Sequence, residues 1–222
     1  MATLKKGILG PISGKVGDAV YSSRNGISHV RSLPKPSQKS ATDKQLAQRM
    51  KFRLAMGFLT PLNHILNDSY RKVNPKRTGI GAAARQILSE AIVGEYPELK
   101  IDYSKVALIR GHLASPNAVM AYQHDTNELS FCWSEYGTNY YSSPPDKLLA
   151  LVYCTSIPQS WLQLHLKAVR VDEFCTIQMP QQCIGKDFHV WLGYQSQDGR
   201  MFSYTVYLGE ILNPKSDGHE SK

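Results

Sequence analysis

A chain of 222 residues with 42% hydrophobic and 20% charged residues carries enough apolar content for a buried core, which excludes wholesale disorder and fits one large domain or two small ones. No stretch reaches 18 uninterrupted apolar residues, and MATLKKGILGPISG lacks the long apolar core of a secretory signal, so neither a membrane span nor classical export is expected. The net charge of +8 is uneven: residues 1–100 hold 17 Lys and Arg against 6 Asp and Glu, while residues 101–222 hold 9 against 12. A basic half of this kind attracts phosphate, anionic lipid or an acidic protein surface.

In chain order, glycines at 7, 10, 14, 17 and 26 first punctuate short apolar pieces. Lys15–Val20 and Ile27–Ser32 alternate loosely, with Arg24-Asn25-Gly26 as the turn between them, since Asn-Gly supplies the positive φ that a tight hairpin requires. A two-stranded ribbon is marginal alone and needs cover. Pro34-Lys35-Pro36 then enforces extended chain.

Thr42 with Gln45 reads as a capping box that opens a helix. Leu46, Met50, Leu54 and Phe58 form one stripe on it, and Phe52, Ala55, Met56 and Leu59 form another. Two-sided cover is therefore expected after residue 52. Thr60-Pro61 starts a second helix with Leu62, Ile65, Leu66 and Tyr70. Arg71 to Arg77 is a basic connection. A third helix runs from about Gly81 to Val93, presents Ala84, Ile87, Leu88, Ala91 and Ile92, and stops at Gly94.

After Tyr96-Pro97 the composition turns to short runs rich in Val, Leu, Phe, Tyr and Trp. Strands are predicted at Val106–Ala114, Ala118–His124, Glu128–Ser134, Leu148–Ser156, Leu162–Val171, Phe174–Met179, Phe188–Gln195 and Phe202–Gly209. That spacing predicts an antiparallel sandwich. The resulting division is 1–100 for a basic ribbon and helical region, 101–212 for the β domain, and 213–222 for a flexible tail.

The string GILGPISGKVGDAVYSSRNGISHVRSLPKPSQKSATDKQLAQRMKF, the later IDYSKVALIRGHL, the FCWS strand and the closing SYTVYLGEI together resemble an uncharacterised bacterial domain-of-unknown-function family, over about residues 5–211. The resemblance implies a Gly- and Arg-bearing N-terminal segment, a helical region and an immunoglobulin-like sandwich. It supplies no catalytic residues. Its N-terminal segment is also similar to those of predicted phage-like proteins, which implies assembly. The loop Gly137–Asp146 departs from the pattern. The fold class expected is thus α+β: a basic N-terminal β-ribbon and helical region followed by an antiparallel immunoglobulin-like β-sandwich.

Chemistry-bearing motifs are scarce. The seven histidines show no His-x-x-x-His, and Cys132, Cys154, Cys175 and Cys183 form no Cys-x-x-Cys, so reduced core thiols are preferred over zinc. Thr78-Gly79-Ile80-Gly81 lacks the third glycine and the βαβ setting of a dinucleotide turn. No Gly-x-Ser-x-Gly and no phosphate-loop Gly-Lys-Ser/Thr occurs. No catalytic, cofactor or metal residue is assigned. Trp133, Tyr153, Trp191 and Tyr204 read as core more readily than as stacking platforms.

Two surface sets remain. The basic set is represented by Arg24, Arg31, Lys35, Arg49 and Arg53, with Lys5, Lys6, Lys15, Lys39, Lys51 and Arg71 to Arg77 around it. Tyr140 and Tyr141, with Tyr136, sit among Gly, Ser and Pro in a long loop, the composition of a recognition surface. The function expected is non-catalytic binding or assembly in the cytoplasm, with no cofactor. Its partner is a protein or a second copy, the basic region attaches and the β-sandwich serves as interaction module. The alternative is sequence-nonspecific nucleic-acid binding, because long cationic side chains suit phosphate backbones.

Overall fold

The computed structural model describes residues 3–4, 12–24, 27–35, 40–73, 78–134, 139–157 and 160–213. The chain divides into two units, Met1–Thr42 and Asp43–Lys222. The Asn25-Gly26 turn, Lys5, Lys6, Lys39, Tyr136, residues 74–77 and the tail beyond Asn213 lie outside the described residues.

In the first unit, β1 (Thr3–Leu4), β2 (Ile12–Val16), β3 (Ala19–Arg24) and β4 (Ile27–Ser32) form one antiparallel sheet in that order. The stretch Lys15–Val20, expected as one strand, instead turns at Gly17-Asp18. Gly17 takes φ +56, and Val16 pairs with Ala19 across the two-residue loop. Glycine at the first loop position makes that tight reversal inexpensive. Paired residues share a face and successive residues alternate. The register therefore sets Val16, Ala19, Tyr21 and Val30 on one face, and Lys15, Val20, His29 and Arg31 on the other.

The second unit begins with α1 (Asp43–Leu59), directly after Thr42. The chain continues through a 3-10 turn, Thr60–Leu62, into α2 (Asn63–Val73). Next comes α3 (Gly79–Gln86), which widens into a π turn over Ile87–Ala91 and ends in β5 (Ile92–Val93), paired with β6 (Lys100–Ile101). Gly94 follows with φ +89. Gly79 is where α3 meets α2: a Cβ there would lie 1.8 Å from the Leu66 carbonyl oxygen.

The remaining strands are β7 (Asn117–Gln123), β8 (Glu128–Ser134), β9 (Lys147–Cys154), β10 (Trp161–Val169), β11 (Phe174–Gln178), β12 (Phe188–Gln195) and β13 (Val206–Ile211). They form a four-stranded antiparallel sheet, β10-β9-β12-β13, and a three-stranded one, β11-β8-β7. The predicted strand Val106–Ala114 is irregular instead. Its amides turn to side chains: Leu108 and Ile109 donate to Thr205 Oγ1, and Ala107 donates to Gln86 Oε1. These bonds satisfy buried backbone without a ladder.

Strands β9 and β12 are buried along nearly their whole length. Leu149, Leu151 and Trp191 face Phe58, Leu59, Leu62, Leu66 and Ile87 of the helical region in one core. Ala150, Val152, Val190 and Leu192 face Leu129, Phe131 and Trp133 of the other sheet in a second. The change of composition at Tyr96-Pro97 is thus a change from helix to strand inside one packed unit. Trp161 Nε1 donates to the Phe58 carbonyl at 2.7 Å and ties helix to sheet.

One ion pair lies within the second core. Arg170 and Asp146 are each 2% exposed, with Nη2 3.3 Å from Oδ2, and Nη2 also donates to the Ala114 carbonyl. The guanidinium lies 3.8 Å above the Tyr194 ring. Asp146 also accepts from the Ser143 amide at 2.8 Å. Removing one buried charge strands the other, at about 3–5 kcal/mol. Urea unfolding of Asp146→Ala should show that loss. The double variant Asp146→Ala/Arg170→Met should recover part of it, because no charge is left unpaired.

Candidate functional site

The basic residues do not form one patch within a single unit. Arg31 is exposed on the charged face of the N-terminal sheet, and Lys35 is exposed beyond β4. Arg24 is the last residue of β3, paired with Ile27. Arg49 and Arg53 belong to the other unit, one helical turn apart on α1, and both are exposed. At i,i+4 spacing they project from the same side of the helix. No carboxylate of the described residues pairs with either.

Below that arginine pair lies a groove of about 550 Å³, within the ~300–1,000 Å³ range of ligand pockets. One wall is a face of α1: Leu46, Met50, Leu54 and Gly57. Opposite stand Tyr96, Ile101, Tyr103 and Tyr153, and the buried Phe58 also lines it. The stripe Leu46-Met50-Leu54 is only half-buried, and Ala55 is the first fully buried residue of the helix. Phe52, on the second stripe, stays exposed.

An aromatic cluster backs the groove. The Phe58 ring meets those of Tyr153 and Trp161 at 4.9 Å, and Tyr103 stacks on His189 at 4.1 Å. Burial pushes the Tyr103 and Tyr153 phenols upward, and the two share a hydrogen bond. Tyr207 is pushed up to about 12 by burial, with the Glu210 carboxylate adding to the effect. His189 Nδ1 lies 2.9 Å from the Tyr207 hydroxyl and Nε2 lies 3.6 Å from Glu210 Oε1. Burial holds this imidazole neutral, with its pKa down at about 4, against the opposing pull of the Asp187 carboxylate. The His189–Glu210 contact is therefore not an ion pair at neutral pH. The cluster offers neutral donors and aromatic surface, and holds no activated nucleophile.

Tyr140 and Tyr141 form a separate feature. Asn139 donates from Nδ2 to the His112 carbonyl at 2.7 Å, and its Oδ1 accepts from the Tyr141 amide and the Ser142 hydroxyl. The base of the loop is thereby fixed, while Tyr140 is 95% exposed and packs edge-on to Tyr141. Among the described residues, no hydrogen bond, ion pair or ring contact joins these tyrosines to Arg49 or Arg53. Of the four thiols, Cys132 is exposed and Cys175 half-buried. Cys154 and Cys183 are buried with their sulfurs 2.7 Å apart. No group of three or more potential metal ligands occurs among the described residues. None of the described helices is long and apolar enough to cross a membrane.

Strands β2 to β4, the half-covered helix α1 and most of β13 fall within a single family match, residues 11–209. The chain belongs to the family of unknown function DUF6266. A comparison with curated proteins gave no match. The DUF6266 match covers most of the N-terminal sheet and all the residues that line the groove.

The sequence points to Arg49 and Arg53 as cations but carries no sign of the groove beside them. Its opposite wall comes from residues distant in the chain, and Tyr153 was read as core. One local signal was present: Gly57 sits inside a helix where glycine costs about 1 kcal/mol relative to alanine.

His189 makes a pH prediction. Below its ordinary pKa of 6.5 the unfolded chain takes up a proton that the folded chain refuses until about pH 4. Stability is therefore complete above 6.5 and falls as pH drops through that window, by up to about 3 kcal/mol. Urea unfolding at pH 6.5 and pH 4 should show a loss larger in the wild type than in His189→Gln by about that amount.

Proposed function

We propose that this chain is a non-catalytic binding or assembly protein of the cytoplasm, in which the basic N-terminal sheet is the attachment element and the β-rich unit is the interaction module. One observation carries the reading. The N-terminal sheet has an uncharged face of Val16, Ala19, Tyr21 and Val30, yet no residue of this sheet with a described side chain is buried; Val30 is 61% exposed. A sheet without a core is marginal in water. Apolar strands left open in this way find cover on another protein surface or another sheet. Closely spaced glycines help, because they let a partner backbone approach.

The finer fold reading, an immunoglobulin-like sandwich, is part of this proposal. Its support is the strand order: β10-β9-β12-β13 over β11-β8-β7, with both sheets contributing to one core. Such sandwiches present loops at their ends, and Tyr140 and Tyr141 occupy one of these. The opposite face of the N-terminal sheet favours the second reading, nonspecific nucleic-acid binding. There the register places Lys15 and Arg31 on either side of Val20, all on one face, an arrangement suited to phosphates.

Affinity purification of the intact chain, with and without nuclease, separates the two. The expected result is nuclease-resistant self-association or a protein partner, lost in Val16→Lys/Val30→Lys and retained in Lys15→Gln/Arg31→Gln. Retention of nucleic acid alone, with affinity falling steeply in salt and a shallower slope in Lys15→Gln/Arg31→Gln, would overturn the assembly reading.

A further inference from the structure

The groove along α1 has the properties of a docking site, and Gly57 is the residue that marks it. Gly57 lies two residues before the end of α1, but the chain stays helical through Leu62 into α2, so the glycine is not a helix terminator. A Cβ at Gly57 would meet nothing within 4 Å. Packing against the described residues therefore does not require glycine there, and nothing among them offsets its cost to the helix. What its absence of side chain provides is bare helix backbone at the groove. The helical wall from Leu46 to Gly57 extends for about 16 Å at 1.5 Å per residue, long enough for a segment of polypeptide. At its rim the paired cations Arg49 and Arg53 have no acidic partner among the described residues.

An acidic, apolar corner with the complementary character stands on the same chain. After β10 a 3-10 turn, Arg170–Asp172, leads into Glu173, which takes φ +54, uncommon for a residue other than glycine. Val171 is 46% exposed and Phe174 is 59% exposed, on either side of the exposed pair Asp172-Glu173. Asp172 holds the turn by accepting from the Val169 amide at 2.8 Å. The register continues the apolar surface sideways: Phe174 pairs with Cys132, and Cys132 with Val119, all exposed on the outer face of the three-stranded sheet.

We infer that the α1 groove of one copy receives the Val171–Phe174 corner of a second copy, with Phe174 or Val171 entering over Gly57 and the acidic pair meeting Arg49 and Arg53. The uneven charge of the chain, basic before residue 100 and acidic after it, favours such a head-to-tail meeting. The two surfaces differ, so the contact is heterologous and propagates into a ring or a filament. It does not depend on the N-terminal sheet.

Sedimentation velocity of the purified intact chain over a concentration series tests this. The wild type should associate, less so as salt rises. Gly57→Leu fills the groove and should weaken association at least about tenfold, while its unfolding midpoint stays level or rises, since leucine is the better helix former. Arg49→Glu/Arg53→Glu and, separately, Val171→Lys/Glu173→Lys should each weaken it as much; Asp172 is kept because it holds the turn. An equimolar mixture of these two charge-reversed proteins should associate again, since acidic corner meets basic groove and basic corner meets acidic groove. A wild type that sediments as a monomer at every concentration overturns the inference. So does association that survives the folded Gly57→Leu variant, or a mixture that stays monomeric. Association lost only in Val16→Lys/Val30→Lys overturns it too and leaves the assembly role of the N-terminal sheet standing. Loss confined to the groove and corner variants supports it and removes the sheet from self-association.

Discussion

The second unit depends on the antiparallel pairing of β9 with β12. Eight residues of each strand align without a register shift, from Phe188 opposite Cys154 to Gln195 opposite Lys147. Neither face of the pair reaches water along most of its length. Alternation sends Leu149, Leu151 and Trp191 to the helices, and Ala150, Val152, Val190 and Leu192 to the three-stranded sheet. Each side of this central ribbon removes apolar area from water at about 25 cal/mol per Å². Detaching the helices would expose one face, and opening the sheets would expose the other.

Polar groups inside this arrangement follow from it. Buried indoles have no solvent to bond, so Trp191 Nε1 donates to the Val106 carbonyl and Trp133 Nε1 to that of Arg170. Those acceptors lie in irregular or turn segments, where carbonyls are not consumed by a ladder. The same logic explains why Val106 to Ile109 can be buried without being a strand: Thr205 and Gln86 take the place of a neighbouring strand. The aromatic cluster around Phe58 then backs the α1 groove and keeps its inner wall neutral, with charge confined to the arginines at the rim.

The two units differ in how they treat apolar surface. Asp43–Lys222 has two buried clusters, whereas the described side chains of the N-terminal sheet are all at least partly open to solvent. Positive charge does not follow that division: it lies on the sheet of the first unit and on α1 of the second. Membership of DUF6266 across residues 11–209 means that both regions are parts of one family architecture.

Much of the chain was legible in its sequence because the signals are local. Glu128–Ser134 and Phe188–Gln195 are strands at the predicted bounds, since period-two alternation and flanking turn residues act over a few neighbours. Leu62, Ile65, Leu66 and Tyr70 are buried as their helical spacing requires. The Gly17-Asp18 reversal is hidden because Val16 and Val20 keep the period of a continuous strand across it, and the Val106–Ala114 segment reads as a strand because apolar β-formers also suit buried irregular chain. By itself the sequence determined most of the element types, the basic N-terminal half and the exposure of Tyr140 and Tyr141, all properties set by residues near one another. Only the tertiary structure decided that helices and strands share a core across Tyr96-Pro97, that Arg170 finds Asp146, and that Tyr103 and Tyr153 face α1 across a groove. Those outcomes join residues tens of positions apart, and pairing at that range depends on which faces are left to bury once the local elements have formed.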